Sequence, residues 1–196
     1  MTDRETIAVY DARAGDYAKL EPSNTPSDTL AAFIAALPEG ARVLDLGCGP
    51  GTSARHMVRA GCVVDALDAS AEMIGLASAI EGVTARQASF DDVSGTAIYD
   101  GVWANFSLLH APRADMPRHL RAIHTALKPG GLFHIAVKEG SGEHRDRINR
   151  FYTYYTEAEL TDLLKTAGFD VGPYRRGRDK GLSGEDADWI SVTAHA

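Results

Sequence analysis

Along this chain, short apolar runs alternate with stretches in which apolar residues return every three or four positions. Leu30, Phe33, Ile34 and Leu37 keep helical spacing behind a capping Ser27 or Asp28, and Pro38-Glu39-Gly40 ends that helix. Residues 42–46 form a short apolar strand running into glycines. A helix follows from about Thr52, with Met57 and Val58 inward and Gly61 at its end. Residues 62–68 give a second strand, after which Ser70 caps a helix carrying Met73, Ile74 and Ala77. Residues 83–88 make a weaker third strand and 100–104 a fourth. The helix expected over about 114–127 puts Met116, Leu120, Ile123 and Leu127 on one face, and Lys128-Pro129-Gly130-Gly131 ends it before a fifth strand at 132–137. Thr156 and Glu159 predict a capping box ahead of Leu160, Leu163 and Leu164, with Gly168 closing that helix. Residues 169–175 and 189–195 read as two closing strands.

Strands alternating with helices predict an α/β fold in which helices cover both faces of a parallel sheet. The last two strands have no helix between them and predict an antiparallel finish. Two segments stand outside the pattern. Residues 1–26 are polar and read as an irregular lead-in, and residues 138–155 are polar and aromatic without a clear period. At 196 residues the chain is read as a single domain, 1–196.

Charge and composition narrow the function. There are 27 acids against 20 bases, a formal charge of −7, which argues against a general nucleic-acid binder. Apolar runs fall short of a membrane span, and the charged N-terminus lacks the apolar stretch of a secretory signal. Cys48 and Cys62 have neither metal-cluster spacing nor a disulfide framework. A cytoplasmic protein, a monomer or homodimer, is expected.

The chemistry concentrates at Val43-Leu44-Asp45-Leu46-Gly47-Cys48-Gly49-Pro50-Gly51, a strand followed by glycines and then a helix. Glycines let the backbone turn sharply and approach a ligand, and the helix start offers free N–H groups. Asp68 ends the second strand about 20 residues further on, where an acid accepts hydrogen bonds from ribose hydroxyls. Asp45, just before the loop, would repel a pyrophosphate and favour the α-amino group and sulfonium of S-adenosylmethionine. The loop reads G-x-G-x-G rather than the G-x-G-x-x-G of dinucleotide sites.

VLDLGCGPG at 43–51 resembles the first motif of class I S-adenosylmethionine-dependent methyltransferases. The resemblance extends through Ala66–Ser70, Tyr99–Ala104 and Leu127–Gly131, and covers roughly residues 30–140. It implies a Rossmann-like three-layer sandwich with a mostly parallel seven-stranded sheet and an antiparallel last strand. It also implies that Gly47, Cys48 and Gly49 line the methionine half of the cofactor and that Asp68 holds the ribose. Ala69 and Met73 would flank the adenine. Ser89 and Phe90 stand where such enzymes often carry an acid beside the adenine amine, a contact that Asp91 would otherwise supply. Ala104, Asn105 and Phe106 would border the methionine and the transferred methyl. In similar enzymes a lead-in segment folds over the cofactor; Tyr10 and Tyr17 lie there, with Tyr17 the expected contact.

On the acceptor side, His110 follows the fourth strand and is the candidate base or polar anchor, with a helix-entry role as the alternative. Lys138 and Glu139 end the fifth strand at the same face. Residues 140–155 carry His144, Arg145, Arg147, Arg150, Tyr152, Tyr154 and Tyr155, suited to recognising an anionic acceptor and closing over it. The N-P-P-Y type signature of amino-methylating nucleic-acid enzymes is absent, so a small molecule is expected. His56, His119 and His124 fall on helices without ligand spacing and His134 lies inside a strand, so no metal site is read. Methyl transfer to a small acceptor, releasing S-adenosylhomocysteine, is the leading reading. The alternatives are a non-catalytic cofactor-binding sensor or partner subunit and, less favoured, a nicotinamide-dependent oxidoreductase.

Overall fold

Strand β1 (Arg42–Leu46) is buried on both faces from Val43 onward, as a central strand of a helix-covered parallel sheet must be. The computed structural model describes residues 3–20 and 24–196, apart from the side chains of 17–20. Around β1 lie β2 (Val63–Asp68), β3 (Val83–Gln87), β4 (Tyr99–Asn105), β5 (Leu127–Lys138), β8 (Asp170–Lys180) and β9 (Asp186–His195). Their order is β3-β2-β1-β4-β5-β9-β8, a seven-stranded sheet. The first five strands pair in parallel, and β9 runs antiparallel to both its neighbours, β5 and β8. The expected Rossmann-like α/β architecture is the one observed.

Helices α2 (Asp28–Ala35), α3 (Thr52–Arg59) and α4 (Ala71–Ser78) cover one face, where Phe33, Met57 and Ala77 pack on Val43, Val64 and Trp103. Helices α5 (Met116–Ala126) and α6 (Glu157–Thr166) cover the other, with Leu120, Ile123 and Leu160 against Leu44, Phe133 and Ile135. The caps follow from local chemistry. The Ser27 and Ser70 hydroxyls accept from the N–H groups of Leu30 and Met73, satisfying donors that the first helical turn leaves bare. The Thr156 hydroxyl accepts from Glu159 N–H as expected, but the Glu159 carboxylate pairs with Arg113 instead of completing a box.

Three expectations need correction. The lead-in is not irregular: residues Arg4–Leu20 form helix α1, capped by Asp3, whose carboxylate accepts from the Thr6 N–H at 2.8 Å and the Thr6 hydroxyl at 2.6 Å. Within 138–155, β6 (Glu143–Arg145) and β7 (Phe151–Thr153) form a small antiparallel hairpin. Strand β5 also starts earlier than expected, at Leu127, which pairs with Tyr99; the register then jumps to Leu132 opposite Gly101, with 128–131 bulging between them.

Candidate active site

At the carboxyl end of β1 the chain reverses over three glycines with positive φ, Gly47 (73°), Gly49 (53°) and Gly51 (84°). This left-handed backbone is cheap only for glycine. At Gly47 an added Cβ would also stand 2.3 Å from the Ser107 Cβ. The Gly47 and Cys48 N–H groups both donate to Leu67 C=O, at 2.7 and 2.9 Å, which pins the loop to β2. Asp68 completes the joint. One carboxylate oxygen accepts from Gly49 N–H and the other from Ser70 N–H, each at 2.9 Å. Its second lone pairs remain available to hydroxyl donors.

Above this loop, beyond the carboxyl ends of the parallel strands where ligands of such sheets bind, opens a cleft. Gly47, Gly49 and Asp68 line its floor, Ala69, Met73, Ser89 and Phe90 one end, and Asn105, Phe106 and His110 the other. Most of the residues singled out from the sequence are thus brought together. Asp45, Cys48 and Ala104 are not among its walls. Asp45 is only 3% exposed behind the loop, takes a hydrogen bond from the Ala54 N–H, and leaves Oδ2 without a partner among the described residues. Cys48 and Ala104 are buried because their side chains point into the packed layers. The Tyr17 side chain lies outside the described residues.

Three further expectations resolve differently at atomic level. The Ser89 hydroxyl and N–H both donate to Asp92, making Ser89 the cap of a tight turn at Phe90–Asp92. Asp91, the alternative acid, pairs with Arg118 on α5 at 2.7 Å. Both His110 nitrogens are committed within the protein. Nδ1 stands 2.6 Å from Phe151 C=O and must donate to it, so Nε2 is left to accept from the Tyr10 hydroxyl at 2.8 Å. Burial, then the nearby Arg150 and Lys138 charges, push the His110 pKa down to about 4 against the pull of the Phe151 carbonyl. The ring is neutral at pH 7.

Sequence reasoning missed most of the roof. Helix α1 supplies Asp3, Thr6, Ile7 and Tyr10 to the cleft. It is held at both sides. Asp11 accepts from the Ser70 hydroxyl at 2.5 Å, beside Asp68. Toward the hairpin, Asp3 takes two bonds from Arg145, at 2.7 and 3.0 Å, and the Thr6 hydroxyl accepts from Phe151 N–H. Arg150 donates to the Tyr10 hydroxyl at 3.0 Å while holding Asp146 at 2.8 Å, a pair whose side chains are each 3% exposed. A sequence signal for α1 existed in the cap Asp3 followed by Ile7, Tyr10 and Ala14 at helical spacing.

The electrostatics of the cleft are one-sided. Burial raises the Asp68 carboxyl above its ordinary range, and burial together with the Asp68 charge lifts Asp45 to about 7. No Lys or Arg is among the described residues lining the cleft. Such a site favours a cation and offers nothing to neutralise a pyrophosphate. The described residues contain no cluster of three or more His, Cys, Asp or Glu able to hold a metal ion.

Comparison with known proteins agrees with this geometry. A family model described as a methyltransferase domain matches residues 18–172. The chain is 38% identical over 156 residues to the ubiquinone biosynthesis O-methyltransferase of Xanthomonas axonopodis pv. citri, covering 68% of this chain and 64% of that one. It is 30% identical over 139 residues to the trans-aconitate 2-methyltransferase of Variovorax paradoxus, covering 68% and 52%. Against the Xanthomonas oryzae ubiquinone enzymes the match spans 43% of their length, so the chain matches about half of these curated relatives. Among solved structures, the Burkholderia thailandensis 1,6-didemethyltoxoflavin-N1-methyltransferase, with 1,6-didemethyltoxoflavin and S-adenosylhomocysteine bound, superposes with a TM-score of 0.73 at 26% identity, covering 100% of this chain and 90% of that one. Sheet order, glycine loop, acid-lined cleft and family match together place this chain in the class I S-adenosylmethionine-dependent methyltransferases.

Proposed function

We propose that the protein transfers the methyl group of S-adenosylmethionine to a small-molecule acceptor. The observation that carries this reading is Asp68 on the cleft floor, with Asp45 buried behind the loop, in a cleft without a basic wall residue among those described. These residues fit a cationic nucleoside. When bound, S-adenosylmethionine supplies an electrophilic methyl on a positively charged sulfur. The chain's own contribution is to bind and orient. Gly47 and Gly49 put no side chain in the way of the amino-acid half, and Asp68 receives the ribose hydroxyls. Ala69, Met73, Ser89 and Phe90 enclose the base, and Asn105 and Phe106 bound the methyl end. Helix α1 and the hairpin exclude water above them, so alignment provides most of the acceleration.

Tyr10 takes the roofing role expected of the lead-in. His110 acts by fixing the Tyr10 hydroxyl. The relatives' named substrates support a small acceptor, and the acidic chain argues against nucleic acid. No helix among the described residues is long and apolar enough to cross a membrane, and both cysteines are free thiols, which fits work in a reducing cytoplasm.

The test is thermal shift followed by transfer. S-adenosylhomocysteine raises the melting temperature whereas NAD leaves it unchanged, and labelled methyl from S-adenosylmethionine enters a fraction of a bacterial metabolite extract. Stabilisation by NAD instead would overturn the reading. Binding without transfer into any fraction would reduce the protein to a sensor.

A further inference from the structure

Most cations of the hairpin segment and of the elements packed near it are held by carboxylates. Arg145 is bound to Asp3, Arg150 to Asp146, Arg176 to Glu139 and Glu157, and Arg113 to Glu159. Lys138 is not held in this way. It stands half-buried at the carboxyl end of β5, and no carboxylate among the described residues comes within ion-pair distance of it. Its Nζ rests 3.8 Å above the Tyr152 ring and 5.8 Å from that of Tyr154. Of the two acids whose charge acts on it, Asp146 is already held by Arg150 and Glu185 makes no ion pair with it.

The surroundings connect Lys138 to the methyl end. Tyr152 packs on His110 with ring centroids 4.6 Å apart, and His110 is a wall of the cleft. On its other side Lys138 faces Trp189 across the β5–β9 pairing. The Trp189 ring meets Phe106 edge-on at 6.0 Å. Phe106 is 37% exposed and sits at a positive φ of 55°, a strained backbone for an aromatic residue that turns it out at the end of β4. An ammonium partly withdrawn from water and left without a counter-ion costs free energy unless a ligand's anion completes it. Ligands of such sheets gather beyond the strand ends, where Lys138 stands. Burial, then the Arg150 charge, hold its pKa below the ordinary lysine range against the pull of Asp146 and Glu185.

We propose that Lys138, flanked by Phe106, Trp189 and Tyr152, is the anchor for a carboxylate on a planar acceptor. This deepens the methyltransferase reading and rests on it. The role expected of an arginine in 140–155 passes to Lys138, because Arg145 and Arg150 are engaged in holding α1 and Arg147 is exposed, with its guanidinium beside Gly184.

Benzoate and its neutral isostere benzamide are the probes, titrated calorimetrically into the protein with and without S-adenosylhomocysteine. Benzoate binds at least tenfold tighter than benzamide, Lys138→Met abolishes that preference, and Lys138→Arg retains it. Equal affinity for the two probes, no binding of benzoate, or a preference surviving in Lys138→Met overturns the proposal. The probe comparison uses the unaltered protein, so it stands even where a variant folds poorly. Failure of S-adenosylhomocysteine to raise the melting temperature is a separate result, and it counts against the methyltransferase reading itself.

Discussion

The Tyr10 hydroxyl and His110 Nε2 meet at 2.8 Å, joining helix α1 to the turn after β4. Since His110 Nδ1 gives its proton to Phe151 C=O, the tyrosine must be the donor, and Arg150 supplies a second bond to its oxygen. One hydroxyl therefore ties the roof, the acceptor wall and the hairpin together.

Tyr10→Phe keeps the ring contacts with His110 and Arg150 and deletes the bonds of the hydroxyl, to His110, Arg150 and Tyr152. The variant is expected to lose about 1–2 kcal/mol of stability, as buried partners are left unpaired. Urea unfolding measures the loss, and hydrogen exchange shows faster opening of α1. Unchanged exchange in α1 would mean that the roof is held elsewhere.

Asp68→Ala removes the carboxylate that joins Gly49 to Ser70 and faces the cleft. S-adenosylhomocysteine affinity should fall more than tenfold, about 1.4 kcal/mol or more, as for a lost charged hydrogen bond. Calorimetry decides the matter, and an affinity within twofold of the parent would withdraw the ribose role.

Buried groups give stability a pH signature of two opposite signs. Asp45 is raised from 3.8 to about 7, so its contribution is full below pH 4 and is lost as pH rises through 7. His110 is lowered from 6.5 to about 4, so its contribution is full above pH 6.5 and is lost as pH falls through 4. Asp45→Asn should therefore stabilise the unliganded protein by about 1–3 kcal/mol at pH 8 and very little at pH 4. Denaturant unfolding at the two pH values checks this, and an equal effect at both would show that Asp45 does not titrate between them.

Gly47→Ala places a methyl group 2.3 Å from the Ser107 Cβ at a φ of +73°. Ser107 cannot retreat freely, because its hydroxyl donates to Leu46 C=O at 2.6 Å. A destabilisation of about 2–4 kcal/mol is expected, read as a lower melting temperature, together with weaker S-adenosylhomocysteine binding.

The central sheet was legible because its signals are local. An apolar run, a glycine turn and a serine cap each lie within a few residues, and Asp68 follows its loop at a fixed interval. The roof was harder to read. Helix α1 carries few apolar residues because much of what it meets is polar: Arg145, Asn149, Arg150 and the Ser70 hydroxyl. Strands β6 and β7 have three residues each, too short for a period, and their register depends on contacts with a helix more than a hundred positions away. Asp45 misled for a related reason. The motif fixed its place in the chain, yet whether its carboxylate faced the cleft or the packed layer behind it depended on the tertiary fold.

The order of the last two strands carries a consequence for assembly. β9 slots between β5 and β8, so β8 reaches the sheet only through a partner made after it. Until residues 186–195 emerge and dock, the apolar run Leu132–Val137 on β5 is an open hydrogen-bonding margin, the kind of template that recruits foreign strands. Clipping that final strand would turn a shielded interior into a sticky border, and aggregation during synthesis is the hazard this topology has to outrun.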